Sequence, residues 1–360
     1  RDLHSFPTRR SSDLWSLERE FGLTVEKDGY GTAIDQENFS VDWFYDVKSL
    51  DLKLNDEVVT KSGSSRMDKR ARPGIMKPTG SVATDADLQI LTWFLFGYLD
   101  NYVYTKGAGN VNTHEFYGGE NKELPSFKGV GIFDMLVKYV NGLLIDGLKL
   151  EVSAESMSLS SDFIYKTEEA KILGVSENFP KPAELENNLF IMMYDVELEL
   201  DNKALDGVAT SFSFEGKNNH DVDGTIGLGS RHPQMRAPAG KRENSLSIVT
   251  SLTSETVRSI LNAEYGEVGA QKPSECKLLQ LPLKLRVKLC EISDIELIIL
   301  FPKCTLNVEY DMSGADRIEV TMNLATLGSD KVALLDGTEV TTDMYVKLVN
   351  NQSKIGGSSP

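Results

Sequence analysis

From Leu283 to Leu289 every second residue is apolar (Leu283, Leu285, Val287, Leu289), and the residues between them, Lys284, Arg286 and Lys288, are all basic. Successive side chains of an extended strand point to opposite faces, so this spacing writes a strand with one buried face and one wet face. A helix, with a period of 3.6, would scatter the same residues around its axis. The pattern recurs. Val196, Leu198 and Leu200 alternate with Glu197 and Glu199. Leu306, Val308 and Tyr310 lead through Ser313-Gly314 to Ile318, Val320 and Met322, which predicts a β-hairpin. Leu50, Leu52 and Leu54, and Leu148, Leu150 and Val152, repeat it upstream. The expected class is mainly β, a β-sandwich or β-barrel with few helices.

Helical signals are sparse. One helix is expected over Ala86–Tyr98 with Asp85 as N-cap, and another over Val257–Tyr265 with Ser254 as cap. A short third is expected at Asp134–Val140. The two longer ones mark an internal repeat. Ser65-Arg66 and Pro73 lie 165 residues before Ser230-Arg231 and Pro238; Leu124-Pro125 lies 157 before Leu281-Pro282; Leu148, Leu150 and Val152 lie 158 before Leu306, Val308 and Tyr310. Both halves run in the order strand, basic loop, helix, Leu-Pro strand and hairpin, and one insertion in the first copy near Tyr104–Gly119 accounts for the fall in offset. The predicted organisation is a first β domain over 15–169, a linker over 170–188, a second β domain over 189–350, each with one flanking helix, and a disordered tail over 351–360. Residues Arg1–Leu14 (RDLHSFPTRRSSDL) resemble a translated sequencing adapter and are expected to be unstructured, with the natural start missing upstream of Trp15.

Charge separates one segment from the rest. The net charge is −16, and Arg1–Leu14 contribute three Arg against two Asp, which leaves −17 beyond them. Lys61–Lys77 sets Lys61, Arg66, Lys69, Arg70, Arg72 and Lys77 against Asp68, a local +5, so the remainder carries −22. A body this acidic repels nucleic acid, and the basic loop lacks the aromatics that stack on bases. An arm reaching an acidic neighbouring subunit is the better reading of Lys61, Arg66, Lys69, Arg70, Arg72 and Lys77, with Arg231 and Arg236 in the milder loop of the second half as their counterparts. The alternative is a solvated loop.

Motifs for catalysis are missing from the sequence: there is no G-x-S-x-G, P-loop or H-E-x-x-H. Cys276, Cys290 and Cys304, spaced 14 apart, suit neither a disulfide framework nor a metal site and read as buried small hydrophobes in a reducing compartment. Asn219, Asp221, Asp223 and Gly224 match part of a calcium loop, but Ser230 stands where a bidentate Glu belongs, so a solvated turn is the better account. No apolar run is long enough to span a membrane, and no hydrophobic signal segment opens the chain; a soluble, non-secreted protein without cofactor or metal is expected.

Three features together resemble the tail tube (major tail) proteins of long-tailed bacteriophages. Gly29-Tyr30-Gly31-Thr32 follows Phe21-Gly22 and acidic residues; His114-Glu115-Phe116 precedes Leu124-Pro125-Ser126-Phe127; and Gly147 opens Leu148–Val152, followed by Met157–Tyr165. The second half departs from the pattern with Leu281-Pro282-Leu283-Lys284. The resemblance implies a β-sandwich subunit that joins its sheets to neighbours in a ring. A long loop or hairpin would reach the next ring, and stacked rings would form the tube through which DNA passes without specific binding. It implies a structural virion protein and not an enzyme, assembled in the host cytoplasm, with tape-measure, tail-terminator and baseplate proteins as partners and no membrane. With two copies per chain, the ring is expected to hold three chains in pseudo-sixfold symmetry instead of six. The alternative is another β-rich ring or assembly protein, such as a baseplate, decoration or secretion-tube subunit.

Overall fold

Wherever the apolar/polar alternation is described it is realised as strand. The computed structural model describes residues 19–36, 39–62, 67, 70–107, 109, 111–134, 136–172, 190–205, 209–251, 265, 280–289, 292, 294–311 and 319–356. The first half contains β1 (Arg19–Val25), β2 (Trp43–Asp46), β3 (Ser49–Lys53), β4 (Asp56–Lys61), β5 (Arg70–Met76), β6 (Thr79–Asp85), α1 (Leu88–Tyr98), β7 (Asn101–Lys106), β8 (Asn112–Tyr117), β9 (Phe127–Phe133), β10 (Leu136–Val152), β11 (Met157–Ile164) and β12 (Thr167–Ile172). The second contains β13 (Val196–Leu200), β14 (Lys203–Ala204), β15 (Ala209–Lys217), β16 (Glu243–Ser251), β17 (Gln280–Lys288), β18 (Glu296–Asp311), β19 (Glu319–Thr326), β20 (Asp330–Ala333), β21 (Glu339–Thr342) and β22 (Tyr345–Asn350). The protein is mainly β, and every strand pairing among the described residues is antiparallel.

Long β10 organises the first half. Its beginning, Leu136–Asn141, lies between β9 and β12; its end, Leu144–Val152, pairs with β11. The strand changes sheets at Asn141-Gly142, where Gly142 takes φ 62 and the pairing with β9 skips from Val140 to Leu143. Bulges of this kind bend a strand around a corner. Beyond the corner β10 leads through β11 and β6 to β3, and before it through β9 and β1 to β2.

The same order of pairings occurs in the second half. There β18 lies between β17 and β22 over Glu296–Leu300, then pairs with β19 over Cys304–Asp311. From β19 the sheet continues through β16 to β15, and from β17 through β13 to β14. Strand lengths agree as well: 17 and 16 residues for β10 and β18, eight each for β11 and β19. At the corner Pro302 follows Phe301, close to a register shift between Leu281 and Leu283, so a proline in place of Gly142 marks the bend.

The halves meet along two seams. The end of β10 pairs with β15 from Gly147↔Lys217 to Val152↔Phe212, and β8 pairs with β22 from Tyr117↔Tyr345 to Asn112↔Asn350. One apolar core runs from Phe21 to Ile355 through both halves. The β7–β8 hairpin occupies the stretch predicted as an insertion in the first copy.

Helix α1 differs from its expected role as a flanking element. Ten of its eleven residues are buried, and it packs against β10, β22 and β8 from both halves. That follows from its composition, LQILTWFLFGY, which has no polar face to give to water. A Cβ on Gly97 would sit 2.6 Å from Ile145 Cγ1 and 2.7 Å from Phe127 Cε2, so only glycine allows this approach of helix to sheet. The N-cap is Asp87 and not Asp85: its carboxylate accepts from Gln89 N and Ile90 N, both at 2.7 Å. Asp85 ends β6 and pairs with Lys48.

Two further expectations change. No helix forms over Asp134–Val140: Asp134 takes a positive φ of 57 in the β9–β10 turn, and β10 begins at Leu136, because β-branched and aromatic residues there pair on both sides. The chain also stays ordered past 350. The Gln352 carbonyl accepts from Asn112 Nδ2 at 2.9 Å and meets His114 Nε2 at 3.1 Å, and Ile355 is buried in the core. The predicted linker begins inside β12, which runs to Ile172. Residues 173–189 lie outside the described residues, as does the expected helix over Val257–Tyr265 except for Tyr265 itself.

Candidate assembly surfaces

The basic segment is a hairpin. Among the described residues β4 and β5 pair only with each other, and every residue of β4 is exposed. Lys61 closes β4, Arg70 and Arg72 lie on β5, and all three are exposed; Arg66 and Lys69 lie outside the described residues. Apolar side chains share this arm: Val58 is 67% exposed, Met67 75%, Val59 47% and Ile75 42%. A two-stranded ribbon without a third strand or a covering layer is marginal in water. An arm carrying both cations and exposed apolar groups would gain stability from any layer laid against it. Sequence reading found its charge but missed its apolar part, whose only signal is the adjacent pair Val58-Val59.

The base of the hairpin is held by the loop between β15 and β16, which stands in the second half where the hairpin stands in the first. Lys77 Nζ pairs with Asp223 Oδ1 at 2.6 Å. Arg231 Nη2 reaches Asp56 Oδ1 at 2.5 Å and its Nε donates to the Gly74 carbonyl at 2.9 Å, while Met76 N donates to the Arg231 carbonyl at 2.6 Å. The candidate contact residues thus divide: Lys61, Arg70 and Arg72 point outward, whereas Lys77 and Arg231 fasten the arm to its own chain. The turn with partial calcium-loop spacing belongs to this fastening. Asp221 Oδ1 accepts from Gly224 N at 3.2 Å, and Asp223 is the partner of Lys77. Among the described residues no group of three or more His, Cys, Asp or Glu is placed to hold a metal ion.

Arg236 lies elsewhere, at a corner where two of the sequence motifs meet. Tyr30 has the Arg236 guanidinium and the Lys166 ammonium each 5.8 Å from its ring centroid. Beside it the Glu26 carboxylate accepts from Gly31 N at 3.0 Å and Gly142 N at 2.9 Å. Arg236 also donates to Ser126 Oγ at 3.2 Å, and Glu26 N donates to the Ser126 carbonyl. Gly29-Tyr30-Gly31 and Leu124-Pro125-Ser126-Phe127 therefore brace the bend of β10, a structural task.

Buried charge ties the halves together. The Asp100 carboxylate is fully buried and accepts from Gly119 N at 2.6 Å, Asn121 N at 3.0 Å and Arg242 Nη2 at 3.2 Å. Asp343 is 3.6 Å from Arg242 Nε and accepts from Asn244 Nδ2 at 2.9 Å, while Asn244 Oδ1 accepts from Tyr98 OH at 2.5 Å. One arginine thus joins the end of α1, the start of β16 and the turn before β22. Removing one partner from such a cluster costs roughly 3–5 kcal/mol because the others stay buried and uncompensated.

His114 and Glu115 belong to the interior. Burial pulls the His114 imidazole down to about 4, and its Nδ1 lies 2.9 Å from Tyr102 OH. Glu115 Oε1 accepts from Tyr345 OH at 2.7 Å and Leu335 N at 3.0 Å. Burial pushes the Cys304 thiol up to about 12, which leaves it unreactive inside the core. Cys276 and Cys290 lie outside the described residues. A groove of about 970 Å³ is lined by Val152, Glu155, Met193, Leu198 and Phe212 near one end of the β10–β15 seam. No helix among the described residues is long and apolar enough to cross a membrane. Comparison with protein-family models and with curated protein sequences finds no match to this chain.

Proposed function

We propose that this protein is a structural subunit that assembles into rings, and that stacked rings form the tail tube of a long-tailed bacteriophage. The observation that carries this reading is the recurrence of one strand-pairing order in both halves, with the halves joined edge to edge by β10 and β15. A chain that already extends one unit into the next by sheet pairing has the architecture of a ring segment. The recurrence also supports a duplicated β unit, with the β4–β5 hairpin of the first copy replaced in the second by the folded-back loop between β15 and β16. In this reading the hairpin is the arm that contacts a neighbouring ring, and its uncovered Val58, Val59 and Met67 are the groups it buries there. Tape-measure, terminator and baseplate proteins would meet the ends of the tube. The net charge of −16 suits a conduit for DNA, because an acidic wall does not hold a polyanion.

Electron microscopy of the purified chain at rising concentration tests this. Uniform hollow tubes built from stacked rings are the expected result. Monomers or irregular aggregates at every concentration would exclude the tube. Rings that never stack would point instead to a secretion-type ring protein.

A further inference from the structure

The internal seam predicts where a second copy binds. β15 occupies in its half the place that β3 occupies in the first: each is the outermost strand beyond β16 or β6. β18 likewise corresponds to β10. Yet β15 pairs on its far side with the end of β10, whereas among the described residues β3 pairs with β6 alone. The corresponding stretch of β18, Leu306–Glu309, pairs with β19 on one side, and among the described residues the pairing of β17 on the other side runs to Thr305. Among the described residues one chain therefore contains one completed seam of the β10–β15 type and two half-seams that match it.

We infer that the Leu306–Glu309 edge of β18 pairs antiparallel with the Ser49–Lys53 edge of β3 in a second copy of this chain, as β10 pairs with β15. The backbone of β3 is set for this. The Asp51 carbonyl points at β6, 2.8 Å from where a Cβ on Gly80 would lie. Alternation along an antiparallel strand then turns the N–H and C=O groups of Leu50 and Leu52 to the open side. The Leu52 carbonyl there accepts from Lys138 Nζ of β10 at 3.1 Å, and a carbonyl oxygen has a second lone pair for a strand. Side chains agree in facing: Leu50, Leu52 and Leu306 are buried in the same core, and Asp51, Asn307 and Glu309 lie on the outer face. Joined in this sense the edges extend both the core and the wet surface without a break. A head-to-tail contact repeated from chain to chain closes into a ring when its rotation allows. The inference rests on the pairing order and is independent of what the ring is for.

The test is cross-linking between chains. Asp51→Cys and Asn307→Cys are placed on separate full-length chains in which Cys276→Ser and Cys290→Ser remove other thiols, with Cys304 kept in the core. On mixing and mild oxidation the expected product is a covalent dimer of the two variants, absent when Lys331→Cys on β20 replaces Asn307→Cys. In the wild type, amide exchange at Leu50 and Leu52 should slow at least ten-fold on assembly. No cross-link and no added protection, whether the chains stay monomeric or assemble through other surfaces, overturns the inference. Cross-linked rings that do not stack uphold it and overturn the tube.

Discussion

His114 lies against Tyr102 and Phe116 with no exposed surface, and its imidazole stays neutral down to about 4 in place of the usual 6.5. Between those two values the unfolded chain binds a proton that the folded chain refuses. Stability is therefore full above about pH 6.5 and falls as the pH drops toward 4. The gap corresponds to roughly 3 kcal/mol. Urea midpoints at pH 7, 5 and 4 should show this loss in the wild type, and His114→Gln should lose that part of the pH slope; equal slopes would remove His114 as its source. His114-Glu115-Phe116 stood out in the sequence as a motif, but its partners did not. Gln352, Tyr345 and Leu335 arrive from more than two hundred residues away, and no local pattern announces them.

At the scale of elements, the β4–β5 hairpin is the feature whose chemistry and placement disagree most with a solvated loop. Its outer end presents Lys61, Arg70 and Arg72, and its base is fixed by Lys77–Asp223 and Arg231–Asp56. Replacing Arg66, Lys69, Arg70 and Arg72 together with Gln should leave the fold intact, since neither Arg70 nor Arg72 takes part in that fastening. An exposed ion pair is worth about 0.2–1 kcal/mol, so the four together give roughly 2 kcal/mol. The concentration needed for assembly should rise about thirty-fold and lose most of its salt dependence. Light scattering against protein and salt concentration measures both, and unchanged curves would make the arm a solvated feature. Helix α1 carries the opposite lesson. Its existence was plain from an apolar run behind an acidic cap, and its lack of a polar face accounts for its burial, but that β10, β8 and β22 would surround it was not legible, because composition does not name packing partners.

For the whole molecule the expected count is three chains per ring. If each chain supplies two units joined by one seam of the β10–β15 type, three chains give six units and six such seams, of which half form without any encounter between molecules. Mass measurement of an isolated ring should return three times the chain mass, and averaged images should show threefold symmetry with six similar lobes. Six chains per ring would mean that the second half does not act as a tube unit. The two seams that join the halves leave no break across which they could separate, since β10–β15 and β8–β22 continue the sheet and one core fills both.

Alternation in the sequence determined by itself that the chain is β, which faces of Leu283–Leu289, Val196–Leu200 and Leu148–Val152 are buried, and that Val308–Tyr310 and Val320–Met322 are neighbouring strands, because burial of every second side chain is a property of one strand. Repeated spacing also led to the expectation of matching elements in two halves, since spacing survives when identity does not. Tertiary structure alone decided which strands are neighbours. Hydrogen bonding between strands is indifferent to side chain, so nothing in Gly147–Val152 names Phe212–Lys217 as its partner. Nor does anything in Arg242 name Asp100 and Asp343, which only the closing of both seams brings within reach. The edges of β3 and β18 left unpaired among the described residues belong to the same class: an edge exists only once the rest of the sheet has been laid down beside it.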